Sequence, residues 1–360
     1  MANLELRTSE FGTTDDGRVV TRIDLIAPDG SGVALLDLGA AVVELRVPDR
    51  DGRMANVVLG HPDLAGYLAN APYFGVLVGR CANRIGGAAL ELDGRTHRLA
   101  PNEGRNQLHG GPGGFHARLW ELDPASLVAD GVRAAVTLRL ASEDGDQGYP
   151  GRLEVLATLA WTARRELEIA LEARCDAPTV VNLAHHGYWN LAGEGEGSVD
   201  DHVLTVRAGA YLPVDADLLP TGELRSVQGT AFDLRAGRRL GAVLRADDPQ
   251  LAAGHGLDHC YVLDRAEDPA TPREAVLLTH PASGRTLRVL TTEPGLQVYA
   301  GGYLDGSIVG PSGRRYRQGD GLALEPQRFP DAVHQPHFPS VVLRPGEVYR
   351  QRSVFALGVG

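Results

Sequence analysis

Short apolar segments separated by turn residues make up most of the chain, and this pattern restricts it to a fold with many strands. Glycine accounts for 45 of the 360 residues and proline for 22. Asp-Gly pairs separate apolar segments at 29–30, 51–52, 93–94 and 144–145. Because an Asp-Gly pair fits a tight hairpin turn better than most dipeptides, these positions predict β-hairpins.

One segment shows the period of a half-buried strand clearly. Between residues 165 and 174 apolar side chains occupy every second position, which predicts a strand with one buried and one exposed face. Residues 152–161 show the same period less regularly, whereas a helical period is limited to 61–68 and 240–245. No internal repeat, linker or change in composition divides the chain. We therefore expect an all-β fold, a large antiparallel β-sandwich, that forms a single domain of residues 1–360.

Composition and charge argue against several classes of partner. Hydrophobic residues make up 43% of the chain and charged residues 22%, with a net charge of −11. Nucleic acids and anionic membranes bind basic surfaces, so an acidic protein of this kind is a poor ligand for either. No apolar run approaches the roughly 18 to 20 residues that a helix needs to cross a bilayer. We expect neither nucleic-acid nor membrane partners.

The N-terminus and the cysteines predict a cellular location. The first residues lack a positively charged segment followed by an apolar one, so we expect no signal peptide. Cys81, Cys175 and Cys260 are odd in number and widely separated, so they form neither a disulfide framework nor a Cys-x-x-Cys metal pair. A reduced, cytoplasmic protein is the simplest interpretation.

Lysine is absent from the sequence, so all 35 basic residues are arginines. This excludes a Schiff base, an anchor for pyridoxal phosphate and the lysine of a phosphate-binding loop. The sequence also lacks a Gly-x-Ser-x-Gly nucleophile motif, a His-Glu-x-x-His metal motif and a dinucleotide-binding Gly-x-Gly-x-x-Gly motif before a helix. We therefore expect no metal and no cofactor.

The segment 181–191, VNLAHHGYWNL, contains the strongest candidates for acid–base chemistry. His185 and His186 have an ordinary pKa of about 6.5, which allows proton transfer near neutral pH. Tyr188 and Trp189 add flat faces against which a sugar ring can pack. Because neighbours on a strand point to opposite faces, one histidine can face a pocket while the other supports it. Alternatively, both are core histidines whose hydrogen bonds are satisfied inside the protein.

Four further clusters combine arginine, amide, histidine and carboxylate side chains, a set that fits acid–base work on a neutral polyol. Arginine offers a rigid fork of donors to oxygen atoms, and glycine lets the backbone approach a ligand. Glu325 follows an apolar triplet, so partial burial would raise its pKa and suit it to act as a general base. The alternatives are a surface ion pair for each arginine and a solvated surface position for the glutamate. The clusters are GRCANRI (79–85), NQLHGGPGGFH (106–116), GLDHCYVL (256–263) and LALEPQRFPDAVHQPHFPS (322–340).

These motifs, taken together and in this order, resemble the aldose 1-epimerases, also called galactose mutarotases. The resemblance extends over nearly the whole chain. GRCANRI is similar to the arginine-rich signature of the family, NQLHGG to its histidine loop and AHHGYWNL to its catalytic histidine segment. Further similar segments are DQGYPG (146–151), YLPVDADLLPTGE (211–223), TAFDLR (230–235), GLDHCYVL, PGLQVYAGGYLDG (294–306) and LALEPQRFPDAVHQPHFPS.

The resemblance implies a β-supersandwich fold and interconversion of the α and β anomers of free aldohexoses such as glucose and galactose. By position, it makes Glu325 the general base at the C1 hydroxyl and His186 the general acid at the ring oxygen. It implies a small sugar as the partner and requires no cofactor. The expected starting state has ionised Glu325 and protonated His186, whose mutual attraction widens the working pH window. The residues expected to hold sugar hydroxyls are Asn83, Arg84, His109, Asp258 and Gln297.

Several positions differ from the family pattern. His185 and Gly187 flank the catalytic histidine where asparagine and serine are usual, and Pro326 follows the glutamate in place of threonine. Ala300 and Gly302 stand where threonine and asparagine are common. None of these differences removes a named role, but they leave the preferred sugar open.

Two other functions stay open at this point. A hexose-6-phosphate epimerase on the same fold would need additional cations, and Arg80, Arg105 and Arg118 lie close to the motifs. A non-catalytic carbohydrate-binding protein would need neither Glu325 nor His186, because binding alone requires no acid–base pair. The sequence makes no prediction of the oligomeric state.

Overall fold

A ten-stranded antiparallel sheet is the largest layer of the structure, a computed structural model that describes residues 3–69, 71–264 and 268–360. Its strands follow one another across the sheet in an order that differs from the order in the chain. From edge to edge they are Glu121–Leu122, Arg133–Ser142, Leu153–Thr162, Glu166–Cys175, Tyr349–Val359, Arg285–Thr291, Arg273–Thr279, Val203–Val206 and Arg238–Arg239, with Val128–Ala129 paired to Arg133–Ser142.

The central strands of this sheet alternate between buried apolar side chains and side chains that contact solvent. In Glu166–Cys175, Leu167, Ile169 and Leu171 are buried while most of the residues between them keep some contact with solvent. The neighbouring strand Leu153–Thr162 pairs with it in antiparallel register and buries its own alternate residues. Both predicted strands are therefore confirmed, because each has one face in the core and one face toward water.

A six-stranded antiparallel sheet packs on the same core and carries a different pattern. The segments Gly295–Tyr299 and Leu322–Gln327 are buried at every position, so neither shows the alternation of a half-exposed strand. In spatial order its strands are Tyr188–Trp189, Leu322–Gln327, Gly295–Tyr299, Asp258–Leu263, Ala208–Tyr211 and Arg225–Ser226.

The remaining strands form one five-stranded sheet near the N-terminus and several short pairs. The five-stranded sheet follows chain order through Glu5–Thr13, Val19–Ile26, Gly32–Leu36, Val42–Pro48 and Met54–Asn56. The pairs are Leu77–Val78 with Ala184–His185, Arg84–Ile85 with Gln107–Leu108, Ala89–Leu92 with Arg95–Arg98, Thr179–Val180 with Val342–Leu343, and Asp305–Val309 with Arg315–Arg317.

One apolar core joins the three large sheets. Its buried side chains include Ile23 of the five-stranded sheet, Leu159 of the ten-stranded sheet, and Leu296 and Leu324 of the six-stranded sheet. Stacked antiparallel sheets around a shared core form a β-sandwich, so the predicted all-β fold is confirmed. The assignment of residues 1–360 to a single domain stays a prediction.

Helices are short. Helices at Leu64–Ala69 and Leu240–Leu244 confirm the two predicted helical segments, and a third at Pro249–Ala253 was not predicted. In the described parts of the chain, no helix is long and apolar enough to cross a membrane. Single 3-10 turns lie at Gly86–Ala88, Phe115–Ala117, Pro124–Ser126, Asp146–Gly148 and Val199–Asp201.

Candidate active site

Register between three neighbouring strands brings three of the predicted site residues together. Gln297 lies opposite Glu325 on one side and opposite Cys260 on the other. Asp258 is two residues before Cys260, so its side chain points to the same face of the sheet as those of Gln297 and Glu325. The Gln297 amide Nε2 donates a hydrogen bond of 2.6 Å to Asp258 Oδ1. The sheet thus presents a row of polar side chains on one buried face.

The second histidine of the predicted pair faces this row. His186 follows the strand Ala184–His185, and its Nε2 lies 3.6 Å from Glu325 Oε1. Both side chains are almost fully buried. His185 points elsewhere, because its ring packs against Phe355 with 5.7 Å between ring centroids. The two neighbouring histidines therefore do not share one pocket, as predicted.

The pair opens into a cavity of about 400 Å³. This volume lies at the lower end of the range for small-molecule sites, which suits a ligand the size of a monosaccharide. Gln297 lies behind Asp258 and supports it rather than lining the cavity. The other predicted residues that line the cavity are Asn83, Arg84, His109, His186, Asp258 and Glu325.

A reciprocal contact between Asn83 and His109 fixes the state of the His109 ring. The backbone N–H of Asn83 donates to His109 Nδ1 at 3.2 Å, and the backbone N–H of His109 donates to the backbone carbonyl of Asn83 at 3.0 Å. Both residues have positive φ values, 61° and 50°, a costly conformation that is frequent at functional sites. Burial lowers the pKa of His109 well below 6.5, so the ring is neutral. With Nδ1 acting as an acceptor, the single ring proton lies on Nε2.

That proton decides between two chemistries for the cluster of His109, His186 and Glu325. Their potential ligand atoms lie within 4.8 Å of one another, a spacing that would suit a metal ion. A metal ligand must offer a lone pair, however, and His109 Nε2 carries a proton while Nδ1 is occupied by Asn83. The cluster is thus built to donate and exchange protons.

Arg84 reaches the cavity from the short strand Arg84–Ile85, which pairs with Gln107–Leu108. Its Nε and Nη2 donate to the two carboxylate oxygens of Glu103 at 2.6 Å and 2.7 Å. Within the described chain, no acceptor is bonded to the third guanidinium nitrogen, Nη1. Arg84 is therefore held rigidly with one donor edge left for a ligand.

Burial shifts the pKa values of the central pair in opposite directions. It raises the pKa of Glu325 well above 4.5, helped by the nearby Asp258 carboxyl and opposed by Arg84. It lowers the pKa of His186 to about 3. Both shifts favour the neutral forms and therefore oppose the expected ionised starting state. The cost of removing two charges from water outweighs their mutual attraction here.

Aromatic residues form much of the cavity wall. The Tyr188 ring lies 5.1 Å from the His186 ring, and Tyr73 lies 4.6 Å from His109. Tyr188 lines the cavity, as expected for a face that packs against a sugar ring. The same expectation for Trp189 is wrong, because Trp189 is fully buried and stacks on Phe355 in the core.

Several wall residues were not predicted from the sequence. Glu103 lies just before the NQLHGG loop. The available signal was its position in the sequence between the clusters GRCANRI and NQLHGGPGGFH. Tyr73 lies in a segment that no motif marked. In the motif PGLQVYAGGYLDG (294–306) the resemblance gives a role to Gln297 alone, and Ser307 and Ile308 follow that motif. The side chains of this region that line the cavity are Tyr299, Tyr303, Leu304, Asp305, Ser307 and Ile308.

Comparison with known proteins assigns the chain to a family. The family model "Aldose 1-epimerase" matches residues 21–356. Galactose mutarotase of Bos taurus is 43% identical over 327 residues, which cover 91% of each chain. Aldose 1-epimerase of Escherichia coli is 36% identical and covers 93% of this chain and 94% of its own. The crystal structure of an aldose epimerase homologue from C. elegans superimposes with a TM-score of 0.85 at 32% identity, covering 94% of this chain and 98% of the other. The chain therefore belongs to the aldose 1-epimerase family and is an epimerase that acts on a small sugar.

Proposed function

We propose that the enzyme interconverts the α and β anomers of free aldohexoses, with galactose and glucose as substrates, and that Glu325 and His186 perform the proton transfers. The observation that carries this proposal is the buried pair itself, 3.6 Å apart at the floor of a cavity of monosaccharide size. Relatives named galactose mutarotase support galactose as one substrate.

Ring opening needs one proton removed and one proton added. Glu325 accepts the proton of the C1 hydroxyl while His186 donates a proton to the ring oxygen, and the bond between C1 and that oxygen breaks. The product is an open-chain aldehyde, whose carbonyl group rotates about the C1–C2 bond. On closure His186 takes back its proton, Glu325 returns a proton to O1, and the new hydroxyl has either configuration. The pair ends the cycle with the protons it began with.

The pKa directions fit the middle of this cycle. After opening, Glu325 is protonated and His186 is neutral, which are the two forms that burial favours. The pair holds one proton before and after the step, and only its position changes. Burial thus stabilises the enzyme in the state that accompanies the open-chain sugar, and a bound sugar's hydroxyls must offset this bias in the closed forms.

The remaining polar groups suit the sugar hydroxyls. His109 offers a donor at Nε2 and Arg84 a donor at Nη1, while Asp258 offers an acceptor that Gln297 orients. The Asn83 amide lines the cavity beside them. A hydroxyl group both donates and accepts, so alternating donors and acceptors hold it in one orientation.

The surroundings of the arginines support a free sugar over a phosphorylated one. Arg80 is buried and donates to backbone carbonyls and to the hydroxyls of Ser142 and Thr179. Arg105 pairs with Asp217, and Arg118 pairs with Asp146. None of these three arginines belongs to the cavity lining. A phosphate in the cavity would face more carboxyl groups than cations.

Polarimetry of freshly dissolved α-D-galactose and α-D-glucose tests the proposal. The wild type should accelerate the approach to the equilibrium rotation, and Glu325→Gln should fall to about the spontaneous rate. Glucose 6-phosphate, added as a competitor, should leave the rate with free sugar unchanged. Wild-type enzyme that accelerates neither sugar would contradict the proposal and favour the carbohydrate-binding alternative. Strong competition by glucose 6-phosphate would favour the phosphorylated substrate instead.

Cellular location and further partners rest on composition alone. We propose a cytoplasmic enzyme without nucleic-acid or membrane partners, supported by the net charge of −11 and by the unpaired cysteines. Fractionation of the native host with antibody detection tests the location, and enzyme recovered in a membrane or secreted fraction would contradict it.

A further inference from the structure

Glu103 occupies an unusual position among the residues that line the cavity. Its carboxylate accepts both hydrogen bonds from the Nε and Nη2 edge of Arg84. Arg84 is 7% exposed, whereas Glu103 is 37% exposed and lies at the cavity wall. Among the described lining residues, Arg84 is the one that carries a permanent positive charge. Glu103 therefore occupies two donors of the one permanent cation that an anionic ligand would contact in the described cavity lining.

We propose that Glu103 is a specificity-determining residue that excludes phosphorylated aldoses by occupying the anion-binding edge of Arg84. This inference rests on the proposed function, because it explains how the same site selects free sugars. A guanidinium group binds carboxylate and phosphate through the same two parallel N–H groups. Glu103 already fills that position, so a phosphate must displace it or do without the bidentate contact.

Charge around the pair adds to the exclusion. Asp258 lies close enough to Arg84 to raise its pKa, and Asp305 lines the same cavity. A phosphate that displaced Glu103 would leave that carboxylate unpaired beside it. Like charges at such distances repel, and the repulsion is stronger in a partly buried cavity than in water. A neutral hydroxyl suffers neither penalty and can accept a hydrogen bond from the free Nη1 edge of Arg84.

A purely structural role for Glu103 makes different predictions. In that case the ion pair only anchors the loop that contains Glu103, and its loss would lower stability without changing which ligands bind. The specificity role predicts a new affinity for phosphate, which loop anchoring alone does not produce. The affinity for phosphorylated ligands is therefore the property to measure, and thermal stability is measured separately.

The test compares Glu103→Gln with a matched control. The side chain of glutamine keeps the length and polarity of glutamate but removes the negative charge. The control is Asp93→Asn, which removes one charge from a second bidentate pair, with Arg344 at 2.8 Å and 3.0 Å, outside the cavity lining. Isothermal titration calorimetry gives the Kd of glucose 6-phosphate and of inorganic phosphate for each variant and the wild type. Thermal unfolding verifies that each protein is folded.

We expect Glu103→Gln to bind glucose 6-phosphate at least about tenfold more tightly than the wild type, the size of one charge-assisted contact. Asp93→Asn should bind it as weakly as the wild type. With galactose, polarimetry of Glu103→Gln should show a raised KM and a kcat close to the wild-type value, since Arg84 loses its support but the proton-transfer pair is untouched. If Glu103→Gln does not fold, Glu103→Ala replaces it in the same measurements.

Equal glucose 6-phosphate affinity for folded Glu103→Gln and wild type would overturn the inference. Tight binding by the wild type itself would overturn it as well. Because calorimetry needs no turnover, equal affinities of the folded variant and the wild type would overturn the inference alone, whereas failure of the proposed function is seen as wild-type enzyme that does not accelerate mutarotation. Tight binding by the wild type would count against both.

Discussion

The ten-stranded and six-stranded sheets bury their residues in different ways, although they share one core. In the ten-stranded sheet, Glu166–Cys175 buries alternate apolar side chains and leaves most of the others in contact with solvent. In the six-stranded sheet, Leu322–Gln327 is buried on both faces, and one face carries Glu325 beside Gln297. The ten-stranded sheet buries mainly apolar side chains. The six-stranded sheet also buries polar side chains, which can then contact a ligand in the cavity.

This difference has an energetic consequence. Glu325 Oε2 and Gln297 Oε1 are buried and have no hydrogen-bond partner among the described residues. Each such group costs about 1–3 kcal/mol relative to a satisfied one. Glu325 lines the cavity, so a sugar hydroxyl can satisfy its Oε2, and part of the binding energy of the substrate then comes from this otherwise unpaired oxygen. Gln297 Oε1 lies outside the cavity lining. The predictions that follow ask whether activity and stability divide between the two sheets in this way.

The largest effect on activity is expected at Glu325. Glu325→Gln removes the base and should lower kcat by about 10²–10⁴-fold, with stability equal to or above that of the wild type. Glu172→Gln, on the exposed face of the ten-stranded sheet, is the control and should keep normal turnover. Polarimetry gives the rates and denaturant unfolding gives the stabilities. Near-normal turnover of Glu325→Gln would remove Glu325 from the mechanism.

The largest effect on stability is expected in the ten-stranded sheet. Leu159 is fully buried in the shared core, so Leu159→Ala should lower the free energy of unfolding by about 2–5 kcal/mol. Leu156 lies on the opposite, partly exposed face of the same strand, and Leu156→Ala should cost much less. Both variants should keep the wild-type kcat at temperatures where they are folded. A large loss of kcat in folded Leu159→Ala would mean that the two sheets are not separable.

At His109 the two effects can be separated within one side chain. His109→Asn keeps an acceptor near the position of Nδ1 for the Asn83 N–H but loses the Nε2 donor, so kcat/KM should fall about tenfold to a hundredfold at nearly normal stability. His109→Leu loses both groups and should also be less stable, because the Asn83 N–H is left unpaired. Equal stability of the two variants would contradict the hydrogen bond that fixes the ring proton.

A smaller effect on the pH dependence of stability is expected at His202, outside the site. His202 Nε2 accepts the Leu191 N–H at 2.8 Å, and burial lowers the pKa of His202 from 6.5 to about 3. Between these pH values His202 is protonated in the unfolded chain but neutral in the folded protein. Its contribution to the free energy of unfolding is therefore complete above pH 6.5 and is lost as the pH falls toward 3.

The matched variant for that measurement is His202→Gln, whose amide oxygen can accept the same N–H without titrating. Between pH 6 and pH 4 the wild type should lose about 1.4 kcal/mol per pH unit more than the variant. Urea unfolding at several pH values measures this slope. Parallel slopes for the two proteins would show that His202 titrates normally in the folded state.

Strands of the ten-stranded sheet could be predicted from the sequence, whereas those of the six-stranded sheet could not be predicted from their period. The strands 152–161 and 165–174 were predicted because one face contacts water and leaves a period of two. Gly295–Tyr299 and Leu322–Gln327 have no such period, since both faces are buried. The helix Pro249–Ala253 was missed because five residues are too few to show a helical period.

The candidate site divides in a comparable way. Glu325 and His186 were identified because their motifs resemble a family. The structure places Glu325 of the six-stranded sheet 3.6 Å from His186, which follows the strand Ala184–His185. Tyr73 was missed because it joins the cavity through loop packing, which leaves no local pattern. Glu103 was missed although it lies just before the NQLHGG loop, because that position alone does not show that it pairs with Arg84. The raised pKa of Glu325 and the lowered pKa of His186 were missed, because a pattern of residue types does not show how completely the two side chains are removed from water.

The pH dependence of kcat/KM for galactose tests most directly whether the buried pair works with a single shared proton. Solvated groups with ordinary pKa values would keep ionised Glu325 and protonated His186 only up to about pH 6.5, and activity would fall above it. Burial lowers the pKa of His186 to about 3, so the pair should take up its second proton only near that pH, and burial raises the pKa of Glu325, which then sets the alkaline limb. We predict that activity persists below about pH 4.3, with its acid limb near pH 3. An acid limb at about pH 4.3, as for a solvated carboxyl, would contradict the account.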